Sequence, residues 1–401
     1  MMSAAAINEN NPGVEVFLIE KNESFGKKVL ISGGGRCNIT TGITDIKTVL
    51  KNYPRGEKFL TPAMHCFSPS AVRAWFLARG VPQKCGEDLR VFPKSNNGQD
   101  VLGVFERIFS RHRTKILFKH AVKSIEKNKN GFIIYFKEQP SLEADRVVLA
   151  LGGEAYRHTG SAGDGYALAE SLGHHMTPLA ASLYSFVTKE KWPREVSGLT
   201  IAKSAVMAKR QKRYRTVGSV LFTQWGVSGP AIFALSSLVA FLDFSSVNPL
   251  DIFIDLVPDL AAEKIIADLK NLAQENPKKS FKSTLHHFVP RSLAEIIPRE
   301  IGIPPEKKNA EVSNAEMEKA GRWLKFLPLH AESPGAGEEL VTAGGVELAE
   351  VNPHTMESKV CQGLYFAGEI LNIDGFTGGF NLQAAWATGR AAGEALARSK
   401  K

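Results

Sequence analysis

The feature that constrains this chain most is a short apolar run that ends in an acid and is followed by a glycine-rich loop. The run covers residues 14–19 and ends at Glu20, and the loop reads Ser-Gly-Gly-Gly-Arg-Cys-Asn over residues 32–38. A nearly continuous run rich in β-branched residues is typical of a parallel strand buried on both faces. An acid that ends the second strand of a dinucleotide-binding βαβ unit hydrogen-bonds the adenosine ribose. The pattern therefore predicts a nucleotide-binding domain.

The glycine fingerprint of such a unit lies about 20 residues before its acid. Counting back from Glu20 by that distance reaches Met1. Residues 1–8 are small and apolar, like the helix that follows the fingerprint, and residues 8–13 are typical of its end and a turn. We therefore expect the first strand and its Gly-x-Gly-x-x-Gly to lie upstream of Met1. Residues 1–401 should then bind the nucleotide at least about ten times more weakly than a chain with that strand.

The loop at residues 32–38 favours a cofactor site. Its glycines leave backbone N–H groups unhindered, Arg36 can pair with phosphate, and Asn38 can hydrogen-bond a heteroaromatic ring. The alternative for Glu20 is an ordinary surface acid after an ordinary strand. A glycine-rich surface loop rarely needs all of these groups together, so the loop favours the cofactor interpretation.

The far end of the chain supplies a second glycine-rich loop. A short strand over residues 364–367 is followed by Gly368 and Glu369, and a helix is predicted to begin near Asn381. The N-terminus of that helix carries partial positive charge and free N–H groups, which suit the anion of a reduced flavin. Small residues recur along the helix, so an element or a cofactor can approach it closely: Ala384, Ala385, Thr388, Gly389, Ala392 and Gly393. The alternative is a glycine-rich turn before a tightly packed helix, which explains Gly368 and Glu369 less well.

Composition limits the class of protein. The chain has 401 residues, 43% of them hydrophobic, and a formal net charge of +9, which suits an anionic ligand without choosing one. It lacks both an apolar run of about 20 residues and a secretory signal, so we expect a cytoplasmic protein. Its four cysteines form no C-x-x-C pair, and its adjacent histidines lack metal-ligand spacing. We therefore expect no disulfide framework and no metal site.

Four ordered blocks resemble a known family. They read "KKVLISGGGRCNIT", "LALGGEAYRHTGSAGDGYALAESLGH", "LFTQWGVSGPAIF" and "TAGGVELAEVNPHTMESKVCQGLYFAGEILNIDGFTGGFNLQAAWATG". Together they resemble a bacterial family of three-domain FAD-dependent oxidoreductases that includes aminoacetone oxidase-like and bile-acid-reductase-like proteins. The resemblance covers essentially the whole chain. Two departures are the absent N-terminal fingerprint, which puts FAD retention in doubt, and Asn372 and Phe376, which stand where family members commonly have acids.

The resemblance implies an α/β fold, in which a glutathione-reductase-like FAD-binding domain is interrupted by a β-barrel-like domain and a small helical domain. Changes in the sequence pattern give the boundaries. The predicted segments are residues 1–182 for the first part of the FAD-binding domain, 183–256 for the β-barrel-like domain, 257–338 for the helical domain and 339–401 for the C-terminal part of the FAD-binding domain.

The two loops and the acid supply the candidate FAD contacts. We assign Glu20 and Lys21 to the adenosine end. The pyrophosphate and flavin are assigned to Ser32, Gly33, Gly34, Gly35, Arg36, Cys37 and Asn38, and the ribityl and pyrimidine end to Gly368, Glu369, Asp374, Gly379, Phe380, Asn381 and Leu382. Cys37 is isolated from other cysteines, so packing or polarity tuning is favoured over a redox role. No catalytic acid or base stands out.

These residues predict an FAD-dependent oxidoreductase that exchanges hydride or electrons between a small organic substrate and NAD(P)H or O₂. The chain has no second dinucleotide fingerprint, so NAD(P)H would bind transiently. One alternative is a flavin-fold protein that binds nucleic acid through the basic run at residues 209–215, although a solvated hairpin is the favoured interpretation of that run. The other is a truncated form unable to retain FAD.

Overall fold

The protein consists of two compact units. The computed structural model describes residues 1–112, 114–210, 212–335 and 339–398. Unit 1 combines Met1–Ala181 with Leu340–Lys401, and unit 2 is Ser182–Glu339. Unit 2 is therefore an insertion between the two stretches that build unit 1.

Helices occur in both units. They are α1 (Met2–Asn10), α2 (Lys27–Ile31), α3 (Ile46–Leu50), α4 (Glu57–Cys66), α5 (Pro69–Leu77), α6 (Gln99–Arg111), α7 (Asp164–Ser171), α8 (Pro230–Leu238), α9 (Ala262–Glu275), α10 (Phe281–Leu285), α11 (Arg291–Glu300), α12 (Asn314–Lys325) and α13 (Phe380–Arg398). Within the described part of the chain, none of them is long and apolar enough to cross a membrane.

The strands are short outside unit 2. They are β1 (Val16–Ile19), β2 (Thr40–Thr41), β3 (Gln83–Cys85), β4 (Arg90–Pro93), β5 (Thr114–Leu117), β6 (Val122–Lys127), β7 (Phe132–Phe136), β8 (Leu142–Ala144), β9 (Val147–Leu149), β10 (Ala180–Ser182), β11 (Phe186–Thr188), β12 (Thr200–Lys209), β13 (Arg213–Phe222), β14 (Gly226–Ser228), β15 (Leu250–Asp255), β16 (Leu327–Pro334), β17 (Val341–Ala343) and β18 (Leu364–Phe366).

Parallel strand pairs define unit 1 as an α/β domain, as the sequence predicts. β1 runs parallel to β5, with Val16 opposite Thr114, and β18 runs parallel to β9, with Leu364 opposite Val147. No ladder joins the two pairs among the described residues. The predicted strand after α1 is therefore present, but its four side chains are only half-buried, so the burial on both faces that the sequence pattern predicts is incomplete.

Helix α13 is the central element of unit 1, and α1 packs directly against it. A Cβ atom added at Gly393 would lie 2.4 Å from the backbone oxygen of Ser3 and 2.6 Å from Cβ of Ala6. At Gly389 the nearest atom, Cβ of Met2, would lie at 3.1 Å. The stripe of small residues predicted on this helix therefore serves the close approach of α1.

Buried hydrogen bonds fix α13 against β2. The hydroxyl of Thr40 donates to Oε1 of Gln383 at 2.6 Å, and the Trp386 indole N–H donates to the backbone oxygen of Ile39 at 2.9 Å. Gln383, which is fully buried, also donates from Nε2 to the backbone oxygen of Phe67 at 2.8 Å. These bonds hold the end of the 32–38 loop against the first turns of α13.

Unit 2 contains a closed barrel with strand order β11-β14-β13-β12-β15-β16 in the described chain. Helices α9–α12 lie between β15 and β16 in sequence, so the barrel closes only after them. The predicted helical segment, residues 257–338, therefore needs a correction, because it includes a barrel strand. Residues 327–334 form strand β16 because every second side chain there is apolar and buried: Leu327, Leu329 and Ala331. This strand pairs with both β15 and β11. The other boundaries stay predictions.

We predict that Gly393→Ala destabilises the protein. A glycine-to-alanine change inside a helix ordinarily stabilises it by up to about 1 kcal/mol. Here the new methyl group meets the backbone of α1, and overpacking of this kind costs about 1–3 kcal/mol. Urea unfolding followed by circular dichroism measures the change.

The matched control is Gly103→Ala in α6, where the nearest atom to the new methyl group is Nη1 of Arg107, 3.3 Å away on a flexible side chain. This variant should be as stable as the parent protein or more so. If both variants gain stability equally, the close contact between α1 and α13 is not a constraint.

Candidate functional site

The candidate site lies where strands of unit 1 end and loops begin. β1 leads into Glu20 and Lys21, β9 leads into Gly152 and Gly153, and β18 leads into Gly368 and Glu369. In open α/β sheets, ligands bind outside the carboxyl ends of the parallel strands. The loops that follow these strands are therefore the expected place for a nucleotide.

Glu20 is held by the turn that follows β1. Its Oε1 accepts hydrogen bonds from the backbone N–H of Asn22 at 2.9 Å and from Nδ2 of the same residue at 2.8 Å. Burial lowers the pKa of the Met1 amino group to about 6, and the nearby Glu20 charge acts in the opposite direction. Lys21 forms an ion pair with Asp164 at the start of α7. Glu20 is therefore held by the turn after β1, and Lys21 joins that turn to the start of α7.

The glycine loop exposes its backbone. Gly33, Gly34 and Gly35 have φ angles of 59°, 67° and 86°, a left-handed run that residues with a Cβ adopt only at a cost. Cβ atoms added at Gly34 and Gly35 would have no neighbour within 4 Å, so this stretch of backbone borders open space. The exposed guanidinium of Arg36 lies 4.2 Å from the ring centre of Phe92. The loop therefore offers open backbone and one cation to an anionic ligand.

Three other side chains of this loop are used internally. The hydroxyl of Ser32 donates to the backbone oxygen of Val29 at 2.8 Å, and Oδ1 of Asn38 accepts from the backbone N–H of Val91 at 3.2 Å. Cys37 is fully buried, and burial raises its pKa to about 12. A thiol with so high a pKa is a poor nucleophile, which supports the packing role over a redox role.

Glu369 lies at the junction of three elements. Its Oε2 pairs with Nζ of Lys28 in α2 at 2.5 Å, and its Oε1 accepts the backbone N–H of Thr342 at 2.9 Å. A Cβ added at Gly153 would lie 3.0 Å from Oε1, so the loop after β9 also touches this carboxylate. Gly368 before it has a φ of 78° and donates its N–H to the Thr388 hydroxyl at 3.0 Å. The carboxylate is thus held in a fixed position and is partly exposed.

Asp374 is placed differently from Glu369. Its side chain is fully buried and forms a two-pronged ion pair with the guanidinium of Arg55. Isolated buried charges are unfavourable, so this carboxylate and Arg55 together join the loop between α3 and α4 to the loop before α13. The assignment of Asp374 to direct flavin contact therefore receives no support from its position.

The start of α13 is tied down by its own loop. Asn381 accepts the backbone N–H of Gly375 at Oδ1, 2.8 Å away, and donates from Nδ2 to the oxygen of the same glycine at 2.7 Å. The Tyr53 hydroxyl donates to the backbone oxygen of Phe380 at 2.7 Å. Gly379 lies against the backbone of Thr40, and the side chain of Leu382 is partly buried. The two glycine loops are therefore neighbours, joined through β2.

The residues present fit a flavin nucleotide. Open left-handed backbone at Gly34 and Gly35 with the exposed Arg36 suits phosphate oxygens. Glu369 offers carboxylate oxygens to a polyol. A separate cavity of about 440 Å³ lies in unit 2, lined by residues that include Leu260, Asp268 and His287, and contains none of the candidate residues.

Residues missed by sequence reasoning complete this part of the site. Lys28 is separated from Glu369 by 341 positions in the sequence, and Arg55 from Asp374 by 319. Lys28 lies in the first of the four sequence blocks, so the sequence indicated that its region matters but did not indicate that it pairs with Glu369. The pairings themselves exist only in the folded chain.

We predict that Arg55→Ala destabilises unit 1 by about 3 kcal/mol or more, because it takes the charged partner from a fully buried carboxylate. Urea unfolding of the protein without cofactor measures the loss. The control is Lys203→Ala, which removes the partner of Asp259 in a pair whose side chains are 59% and 69% exposed, and which should change stability by less than about 1 kcal/mol. Equal losses would contradict a special role for the Arg55 pair.

Comparison with known proteins places the chain in a family. Residues 1–395 match the HI0933-like protein Rossmann domain. The chain is 31% identical to the 3-dehydro-bile acid delta(4,6)-reductase of Clostridium scindens, over 99% of this chain and 96% of that protein. It is 27% identical to the ribosomal RNA dihydrouridine synthase of Escherichia coli, over 97% of this chain and 93% of that protein.

Among solved structures, the 3-ketosteroid-delta4-(5alpha)-dehydrogenase from Rhodococcus jostii is similar with a TM-score of 0.48 and 15% identity, over 99% of this chain and 94% of that one. The resemblance that the four sequence blocks suggest is confirmed by the family match and by the reductase relative. The chain belongs to the HI0933-like Rossmann-domain family of FAD-dependent oxidoreductases.

Proposed function

We propose that this protein is an FAD-dependent reductase that saturates a carbon–carbon double bond conjugated with a carbonyl group in a small organic substrate. The observation that carries the cofactor part is the fixed Glu369 carboxylate at the end of β18, next to the two glycine loops. The observation that carries the substrate part is the chemistry shared by the relatives.

The names of two relatives describe the same kind of reaction. One is a bile acid delta(4,6)-reductase and the other a dihydrouridine synthase. Dihydrouridine differs from uridine by saturation of a double bond that is conjugated with a ring carbonyl, and a 3-dehydro-delta(4,6) steroid has double bonds conjugated with its 3-ketone. A carbonyl at the end of the double bond draws electrons from it and makes its far carbon able to accept hydride. This shared electronic feature supports the proposed substrate class.

When bound and reduced by NAD(P)H, the flavin would supply the hydride, solvent would supply the proton for the second carbon, and the protein would supply binding, orientation and electrostatics. In this proposal Glu20 and Lys21 hold the adenosine end, and residues 32–38 hold the pyrophosphate. Glu369 accepts hydrogen bonds from the ribityl chain, and Lys28 keeps its carboxylate oriented. The N-terminus of α13, held by Asn381, faces the pyrimidine end, where its partial positive charge favours negative charge.

NAD(P)H is the electron donor that suits a reductase of this kind. The sequence has no second glycine fingerprint, so NAD(P)H would bind transiently and leave after it has reduced the flavin. O₂ is then a competing acceptor of the same electrons. Excluding O₂ from the assay should therefore raise the yield of reduced substrate per NAD(P)H consumed.

Uridine in ribosomal RNA is the second candidate substrate, because one relative at 27% identity has that name. The basic run near residues 209–215 would be the RNA contact, and Gln211 within it lies outside the described residues. Arg210 donates to the side chain of Asn248 at 3.0 Å and to the backbone oxygens of residues 248 and 249, so it is held by the protein itself. The higher identity to the bile acid reductase favours the small substrate.

The first prediction for this function concerns cofactor binding. Glu369→Ala should weaken FAD binding by about tenfold or more, because hydrogen bonds to a charged group are worth about 1.5–3 kcal/mol. Asp164→Ala should change it by less than about threefold, because Asp164 pairs with Lys21 at a half-exposed position. Quenching of flavin fluorescence on titration measures both. Equal affinities would remove Glu369 from the site.

The second prediction concerns the reaction. Under anaerobic conditions the protein with FAD and NAD(P)H should convert a steroid 4-en-3-one into a product with two more hydrogen atoms, detected by mass spectrometry. The control substrate is the same steroid with an isolated double bond, which should not react. Oxidation of NAD(P)H with no change in either steroid, or reduction of uridine in RNA alone, would contradict the proposed substrate class.

A further inference from the structure

Tyr166 places a hydroxyl inside the candidate site that nothing in the described protein satisfies. It lies in the first turn of α7 and is 5% exposed. Its oxygen is buried and has no hydrogen-bond partner among the described residues. A buried polar group without a partner costs free energy, so such a hydroxyl is expected to gain a partner when a ligand is present.

A Cβ atom added at Gly165, the residue before Tyr166, would lie 2.7 Å from Cδ1 of Ile370, so the first turn of α7 packs against the turn that carries Gly368 and Glu369. Burial raises the pKa of Tyr166 well above its ordinary value, and the charges of Glu369 and Glu154 raise it further, while the Thr342 hydroxyl acts in the opposite direction. The phenol is therefore a neutral hydrogen-bond donor at physiological pH. It stands near two carboxylates, which would repel a phosphate group and would tolerate an uncharged polyol.

The nearby acceptors already have partners. Oε2 of Glu369 pairs with Lys28, and Oε1 accepts the backbone N–H of Thr342. The Thr342 hydroxyl oxygen accepts the backbone N–H groups of Glu154 at 2.7 Å and Ala155 at 3.2 Å. These bonds occupy the acceptor side of the Thr342 hydroxyl, so that hydroxyl can only donate toward the Tyr166 oxygen, and the Tyr166 O–H is left without an acceptor among the described residues.

We propose that the Tyr166 hydroxyl donates a hydrogen bond to a hydroxyl of the ribityl chain of bound FAD. Lys28, Glu369 and Tyr166 would then present a donor, an acceptor and a donor along one polyol. This inference rests on the proposed function, since it requires FAD in the site. Tyr166 would then bind the cofactor from the loop and helix at residues 159–174, where the sequence pattern indicates no cofactor contact.

The test is Tyr166→Phe, which removes the hydroxyl oxygen and leaves the ring. Its dissociation constant for FAD, measured by quenching of flavin fluorescence, should rise at least about fivefold. The matched control is Tyr184→Phe, because Tyr184 is 2% exposed, lies in unit 2 and is no candidate cofactor residue. Its dissociation constant should stay within about twofold of the parent value.

Two further measurements separate binding from structure. ADP contains the nucleotide half of FAD and lacks the ribityl chain, so calorimetric titration with ADP should give the same affinity for Tyr166→Phe and the parent. The melting temperature of Tyr166→Phe without cofactor should stay close to that of the parent, because the Tyr166 O–H donates to no acceptor among the described residues. An equal loss of ADP affinity, or a lower melting temperature without cofactor, would overturn the inference.

The outcomes also distinguish this inference from the proposed function. Unchanged FAD affinity of Tyr166→Phe, with clear FAD binding by the parent, would overturn the role of Tyr166 and leave the proposed function intact. Failure of the parent protein to bind FAD at all would overturn both.

Discussion

The close contact between α1 and α13 is the constraint on which the rest of unit 1 depends. Gly393 lets the backbone of Ser3 approach to a distance that no side chain would allow. Gln383 and Trp386 of the same helix form hydrogen bonds with Thr40 of β2 and with Ile39, the residue before it. Because α13 is thus fixed from two directions, its N-terminus and the loop before it have a defined position. The candidate site is built on that position.

Two carboxylates in the same glycine-rich stretch differ in burial, and this difference separates a structural role from a binding role. Asp374 is fully buried and paired with Arg55, so its charge is neutralised within the protein and holds two loops together. Glu369 is 16% exposed, and its partner Lys28 is 31% exposed, so this pair can also meet a ligand. Glu369 and Asp374 both carry a carboxylate and lie five positions apart, so their different roles come from their surroundings and not from their chemistry.

The comparison with relatives gives the class of this protein, an FAD-dependent oxidoreductase. A Rossmann-domain flavoprotein fold is compatible with many oxidations and reductions, because the flavin supplies the chemistry. The relatives at 31% and 27% identity have names that describe saturation of a conjugated double bond, one in a steroid and one in a nucleoside.

The sequence by itself determined the α/β class, the strand that ends at Glu20, the two glycine loops and the helix with its small-residue stripe. These features depend on local pattern: apolar runs, glycine conformations and helical spacing, which neighbours in sequence decide. Only the tertiary structure decided that Lys28 pairs with Glu369, that Arg55 neutralises Asp374, that the Tyr166 hydroxyl is buried and that β16 closes the barrel after four helices. Such pairings join residues hundreds of positions apart, and burial and charge at each position depend on the whole packed chain.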